Sequence, residues 1–190
     1  AARRMGRRVA PHAHQEDGIV AALQAGVDSI EHGSSAGDES IRMFLETVAY
    51  LVPTLLAGET VATMARQADF MSDAIKAKAI KVGEDMQGNF ERVHKAGVKI
   101  AYGTDSGVSA HGTNAREAVL MHRAGMSSAE ILKSATVNAA ALIDRSDELG
   151  TISAGKWADL IATRKSPLED IEQLLDVSFD MKGGKVFKQP

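Results

Sequence analysis

Four short apolar runs, each followed by a helix-forming stretch, constrain this 190-residue chain more than any other feature. The runs are 7–13 (RRVAPHA), 27–31 (VDSIE), 50–55 (YLVPTL) and 98–102 (VKIAY). Between the first two, Ile19, Ala22, Leu23 and Ala25 recur at helical spacing over 15–25, and Gly26 is placed to end that helix. Asp38 reads as the N-cap of a helix over 39–49. The stretch 58–96 is helical, with a break expected near Gly83 or Gly88, and Gly97 ends it. Further helices are expected over 114–124 and 128–143, the latter capped by Ser127 or Ser128. Strand and helix in alternation, joined by short connections, imply a parallel sheet with right-handed crossovers. Pro11 has no N–H for a sheet ladder, which suits an edge position.

Three of these runs end in acid/base residues: His12, His32 and, after Gly103-Thr104, Asp105. Parallel strands that carry functional side chains at their C-terminal ends are the plan of a TIM barrel rim. Four βα units are half of such an eight-unit barrel. His12 and His14 form an H-x-H pair whose side chains share one face of a strand. Taken singly, each residue has an ordinary structural reading: a histidine at a strand end is a hydrogen-bonded polar group, and an Asp beside glycine is a turn residue. Taken together, imidazoles and a carboxylate suit a borderline divalent ion such as zinc. His94 and His122 sit near helix C-termini, where an imidazole interacts with the helix dipole, and read as structural.

The last forty residues change character. Short strands are expected at 149–152, 158–163, 177–181 and 185–187, with Gly183-Gly184 as a hairpin turn. The division is therefore 1–145, half of an α/β barrel, and 146–190, a small β module. In the module, Trp157 reads as a packing residue and Asp159 as a turn residue. The net charge of -3 gives no electrostatic case for a nucleic-acid partner. Arg3, Arg4, Arg7 and Arg8 read as a solvated face. With no cysteine, disulfides, thiolate nucleophiles and Cys-based zinc sites are excluded. No apolar run approaches the ~20 residues of a membrane span. No signal peptide is visible, and a cytoplasmic location is the expectation.

The segments VAPHAHQEDGIVAALQAGVDSIEHGS, YLVPTL and AGVKIAYGTDSG, followed by SAEILKSATVNAAAL and LGTISAGKWADLIATRKSPLEDI, resemble the C-terminal half of the amidohydrolase superfamily. The likeness covers nearly the whole chain. It is nearest to the Xaa-Pro dipeptidase and carboxypeptidase branch related to imidazolonepropionase. The resemblance implies that His12 and His32, at the ends of the fifth and sixth barrel strands, bind a divalent metal, zinc for preference. It implies that Asp105, after the eighth strand, is both a metal-site residue and the general base for metal-activated water. His14 and His111 would then face substrate. The implied reaction is hydrolysis of a peptide or amide C–N bond in a dipeptide or N-acyl amino acid, in one or two metal ions' presence, by a homo-oligomer. The first-strand H-x-H and the fourth-strand lysine of the family have no counterpart here, so a catalytically incomplete half-barrel is the alternative.

Overall fold

The first four apolar runs assemble into one sheet. The structure, a computed structural model, describes residues 2–69 and 71–190. Strands β1 (His12–Gln15), β2 (Ser29–Ser35), β3 (Tyr50–Val52) and β4 (Lys99–Ile100) pair in that order, and every pairing is parallel. The helices between them are α1 (Glu16–Gln24), α2 (Asp38–Thr47), α3 (Leu55–Gln67) and α4 (Asp73–Lys95). After β4 come α5 (Arg116–Arg123), α6 (Ser128–Lys133), a π-helical turn (Ser134–Asn138) and α7 (Ala139–Leu142).

Hydrophobic periodicity decides which helical faces point inward. Ile19 and Leu23 of α1, Phe44 of α2, Phe90 and Val93 of α4 and Met121 of α5 are buried against Ile30, Leu51 and Ile100 of the sheet. Fully burying a side chain of this size contributes about 1.5–3 kcal/mol. The closing strands β5 (Leu160–Thr163), β6 (Val177–Lys182) and β7 (Lys185–Lys188) form a separate antiparallel sheet in the order β5-β6-β7. Asp159 accepts a hydrogen bond from the Gly183 amide at 2.7 Å and so ties the β6–β7 turn to the start of β5.

Several boundaries differ from the sequence reading. The first strand lies at His12–Gln15 rather than 7–13, although the Val9 and Pro11 carbonyls already accept bonds from Ser29 and Glu31. Pro11 lies just before β1 and needs no amide there, contributing instead through its carbonyl, which accepts from Glu31. Gly37, not Asp38, is the N-cap of α2, and its first turn is capped from another helix: Glu16 of α1 accepts bonds from the amides of Gly37 and Ser40. Ser127 caps α6 in a capping box with Glu130. The helix expected over 58–96 is two helices, parted at 68–72; Phe70 lies outside the described residues. Gly83, expected as a break, lies within an unbroken α4. A Cβ there would stand 2.7 Å from the Gly58 carbonyl oxygen and 2.8 Å from the Ala62 Cβ. Gly83 therefore serves the close crossing of α3 and α4. No strand forms at 149–152, where the chain turns at Gly150. Trp157 is half exposed and carries the Arg145 guanidinium over its ring rather than packing into the module. Among the described residues no helix is long and apolar enough to cross a membrane.

Candidate functional site

The acid/base residues gather at one recess, although His12 opens β1 and His32 stands in the middle of β2 rather than ending their strands as the sequence suggested, and only Asp105 follows its strand. Alternation along β1 buries Ala13 and turns both His12 and His14 to the opposite face. Both rings reach His32 of the neighbouring strand. His12 Nδ1 lies 2.6 Å from His32 Nε2. The His14 ring stacks on His32 with centroids 4.5 Å apart and planes 5° apart, while its Nδ1 lies 2.9 Å from Ser34 Oγ. His32 is aimed by an irregularity in the pairing: Ala13 pairs with His32 but Gln15 with Ser35, so β2 carries one extra residue. At that bulge His32 has φ +75° and Gly33 φ +58°. A Cβ on Gly33 would meet Leu51 Cδ1 at 2.5 Å in a left-handed conformation that L side chains rarely adopt, and both favour glycine there.

Backbone strain marks the same rim. Among the described residues, five non-glycine residues have positive φ, and three of them are His32 within β2, Thr54 (+49°) after β3 and Asp105 (+52°) after β4. Such conformations cost on the order of 1 kcal/mol or more each and cluster at functional sites. Thr54 is a site residue that sequence reasoning missed. It is buried, and its Oγ1 lies 2.7 Å from His32 Nδ1. No sequence signal marked it, since it lies inside the apolar run YLVPTL.

Burial, then the neighbouring His14 and His12, lowers the His32 pKa, against the opposing pull of Asp105. Burial and His12 lower that of His14. Both rings therefore favour the neutral form, whose nitrogen lone pairs a cation requires. Glu31, beside them on β2, is pushed upward mainly by burial, and its carboxylate accepts a bond from Ser29 Oγ at 2.7 Å.

His12, Glu31, His32, Thr54, Gly103 and Asp105 line one small recess of about 80 Å³. A larger cavity of about 540 Å³ adjoins it, sharing His32 and Asp105. Its walls are mostly apolar, from Ala57, Val61, Ile75 and Val82 to Met86, with Lys78 as a cation. The three-residue metal set expected from sequence is not assembled: among the described residues no group of three His, Asp or Glu side chains is arranged to hold an ion. His12 and His32 converge, whereas Asp105 follows the edge strand β4 and is exposed. The donor chemistry nevertheless fits a divalent cation, with two imidazole nitrogens facing one another and a carboxylate lining the same recess. His111 is exposed in the loop after β4 and lines neither cavity, although Val108 of the same loop lines the larger one. His94 stacks on Phe90, and His122 Nδ1 lies 3.0 Å from the Met126 carbonyl oxygen. Both are away from the rim.

Imidazoles and a carboxylate gathered at one recess beside a parallel sheet define an α/β protein with a candidate functional site. The chain belongs to the amidohydrolase family, whose profile matches residues 1–187. It is 34% identical over 194 residues to the ochratoxinase of Aspergillus niger, which covers all of this chain and 40% of that protein. It is 27% identical over 165 residues to the imidazolonepropionase of Streptococcus gordonii, covering 84% of this chain and 46% of that protein. Among solved structures, a Xaa-Pro dipeptidase with methionine bound in its active site superposes with a TM-score of 0.94 at 42% identity, over 98% of this chain and 46% of that one. The A. niger ochratoxinase structure superposes with a TM-score of 0.82 at 33% identity. The chain thus spans less than half the length of the proteins it matches.

Proposed function

We propose that this chain is the C-terminal half of a metal-dependent hydrolase of amide C–N bonds, acting on a dipeptide or an N-acyl amino acid. In this reading residues 1–145 supply the last four βα units of a TIM barrel, and residues 146–190 part of a β module. The observation that carries it is the convergence of His12 and His32, 2.6 Å apart, in a recess that Asp105 also lines. The family and the dipeptidase-like and ochratoxinase relatives support the choice of bond.

His12 Nδ1 and His32 Nε2 would hold a divalent ion, zinc for preference. When bound, that ion supplies Lewis acidity toward a carbonyl and lowers the pKa of water. Asp105 takes the proton of the attacking water and delivers it to the departing amine, which general acid–base catalysis makes worth about 10²–10⁴-fold. His14, stacked on His32 and lining the larger cavity, borders the substrate. The apolar wall between α3 and α4 receives an apolar part of the substrate and excludes water from it.

A second reading is favoured by the exposed Asp105 and by the unpaired outer edges of β1 and β4. In it the chain alone binds an ion weakly and needs the missing strands to complete the site. One experiment separates the two: metal analysis with a hydrolysis screen of dipeptides and N-acyl amino acids, on this chain and on a longer natural product containing it. Stoichiometric metal with turnover supports the hydrolase. No metal and no turnover in the longer protein overturns it.

A further inference from the structure

We infer that Glu117 and Thr54 are positioning residues for His32, and that Glu117 caps α3 so that the Thr54 hydroxyl is free to hold the imidazole. The functional consequence rests on the proposed role of His32 as a ligand; the positioning itself does not.

The first amides of a helix have no partner within it, and a threonine at the N-cap commonly serves one of them with its own side-chain oxygen. Thr54 occupies the N-cap of α3 but makes no such bond. Its Oγ1 is turned instead to His32 Nδ1, at 2.7 Å. The capping comes from α5. Glu117 Oε1 accepts from the Leu55 amide at 2.9 Å, and Oε2 accepts from the Leu56 amide at 2.7 Å. Glu117 is fully buried, so its carboxyl has no bulk water to turn to, and these two amides hydrogen-bond it. A β-branched residue seldom adopts the left-handed conformation of Thr54, with φ +49°, and needs its surroundings to enforce it. The two bonds to Glu117 anchor the residues immediately after it.

The Thr54 hydroxyl can accept from His32 Nδ1 or donate to it, and a ligand role for His32 requires the first. Where His32 donates from Nδ1 to Thr54 Oγ1, its Nε2 presents a lone pair toward His12, as a ligand must. The reverse tautomer would place a proton on the nitrogen that faces the recess.

The test uses the chain as it stands, labelled with ¹⁵N-histidine, with long-range ¹H–¹⁵N spectra reporting which nitrogen of His32 is protonated. Wild type is expected to show Nδ1–H. Thr54→Val is expected to lose that preference, Thr54→Ser to keep it, and Glu117→Gln to lose it while circular dichroism stays native. Slow hydrogen exchange of the Leu55 and Leu56 amides in wild type checks the cap without any variant. An Nε2–H tautomer in wild type, an unchanged His32 spectrum in folded Thr54→Val, or unprotected Leu55 and Leu56 amides would overturn the inference. Zinc affinity, measured by competition with a chelating dye, is expected to fall about 10–100-fold in Thr54→Val. A changed tautomer with unchanged zinc affinity would refute the ligand role of His32 and leave the positioning intact.

Discussion

Adding one methyl group to α4 at Gly88 or at Gly83 is expected to change stability with opposite sign. In a helix interior, glycine is less favourable than alanine by about 0.8–1.0 kcal/mol. Gly88 is exposed, and a Cβ there meets nothing within 4 Å. Gly88→Ala should therefore stabilise the fold by about 0.5–1 kcal/mol. At Gly83 the same gain is opposed by contacts of 2.7 Å to the Gly58 carbonyl oxygen and 2.8 Å to the Ala62 Cβ. Carbon atoms prefer about 3.5–4.0 Å, and a backbone oxygen cannot rotate aside, so α3 and α4 must part. Overpacking of this kind costs typically 1–3 kcal/mol, which leaves Gly83→Ala destabilised by up to about 2 kcal/mol after the propensity gain. Urea unfolding followed by far-ultraviolet circular dichroism measures both, and the two midpoints should move apart from wild type. If Gly83→Ala is stabilised as much as Gly88→Ala, the close crossing does not exist, and neither does the cavity wall it builds.

Burial pushes Glu117 up to about 7 from its ordinary 4.5, against the Leu56 and Leu55 amides and with Glu59 adding to the rise. The folded state then holds the proton more tightly than the unfolded one. Its contribution is complete below pH 4.5 and is lost as pH rises through about 7, by roughly 3 kcal/mol. Glu117→Gln should flatten that slope in unfolding experiments at a series of pH values. Zinc added to dialysed protein should raise Tm, by the equivalent of about 2.7 kcal/mol at a hundredfold excess over Kd, and His32→Ala should remove the shift. Asp105→Asn, at an exposed site where Asn also tolerates a left-handed backbone, should leave Tm within the range of ordinary surface changes. It should still lower turnover of the longer enzyme by about 10²–10⁴-fold, and undiminished turnover would remove Asp105 as the base.

The alternation of apolar runs and helices, the burial of Ile19 and Leu23, and the identities of His12, His14, His32 and Asp105 are all legible in the sequence. They depend on periodicity and on residue chemistry, which are local. Whether a glycine breaks a helix or admits a neighbour is not local. Gly83 and Gly88 look alike in sequence, and only the approach of Gly58 and Ala62 separates them. The bulge that aims His32 depends on its register against β1. His111 has the same chemistry as His12 but is exposed and lines neither cavity, while Val108 of the same loop does. Thr54 and Glu117 carry no motif, because each owes its place to a partner far along the chain. Glu117 reaches Leu55 across 62 residues, and Thr54 reaches His32 across 22. Sequence by itself determined the parallel α/β plan and the residue types at its rim. Tertiary structure decided which of those side chains meet, because the contacts that orient them join segments that only the folded sheet brings together.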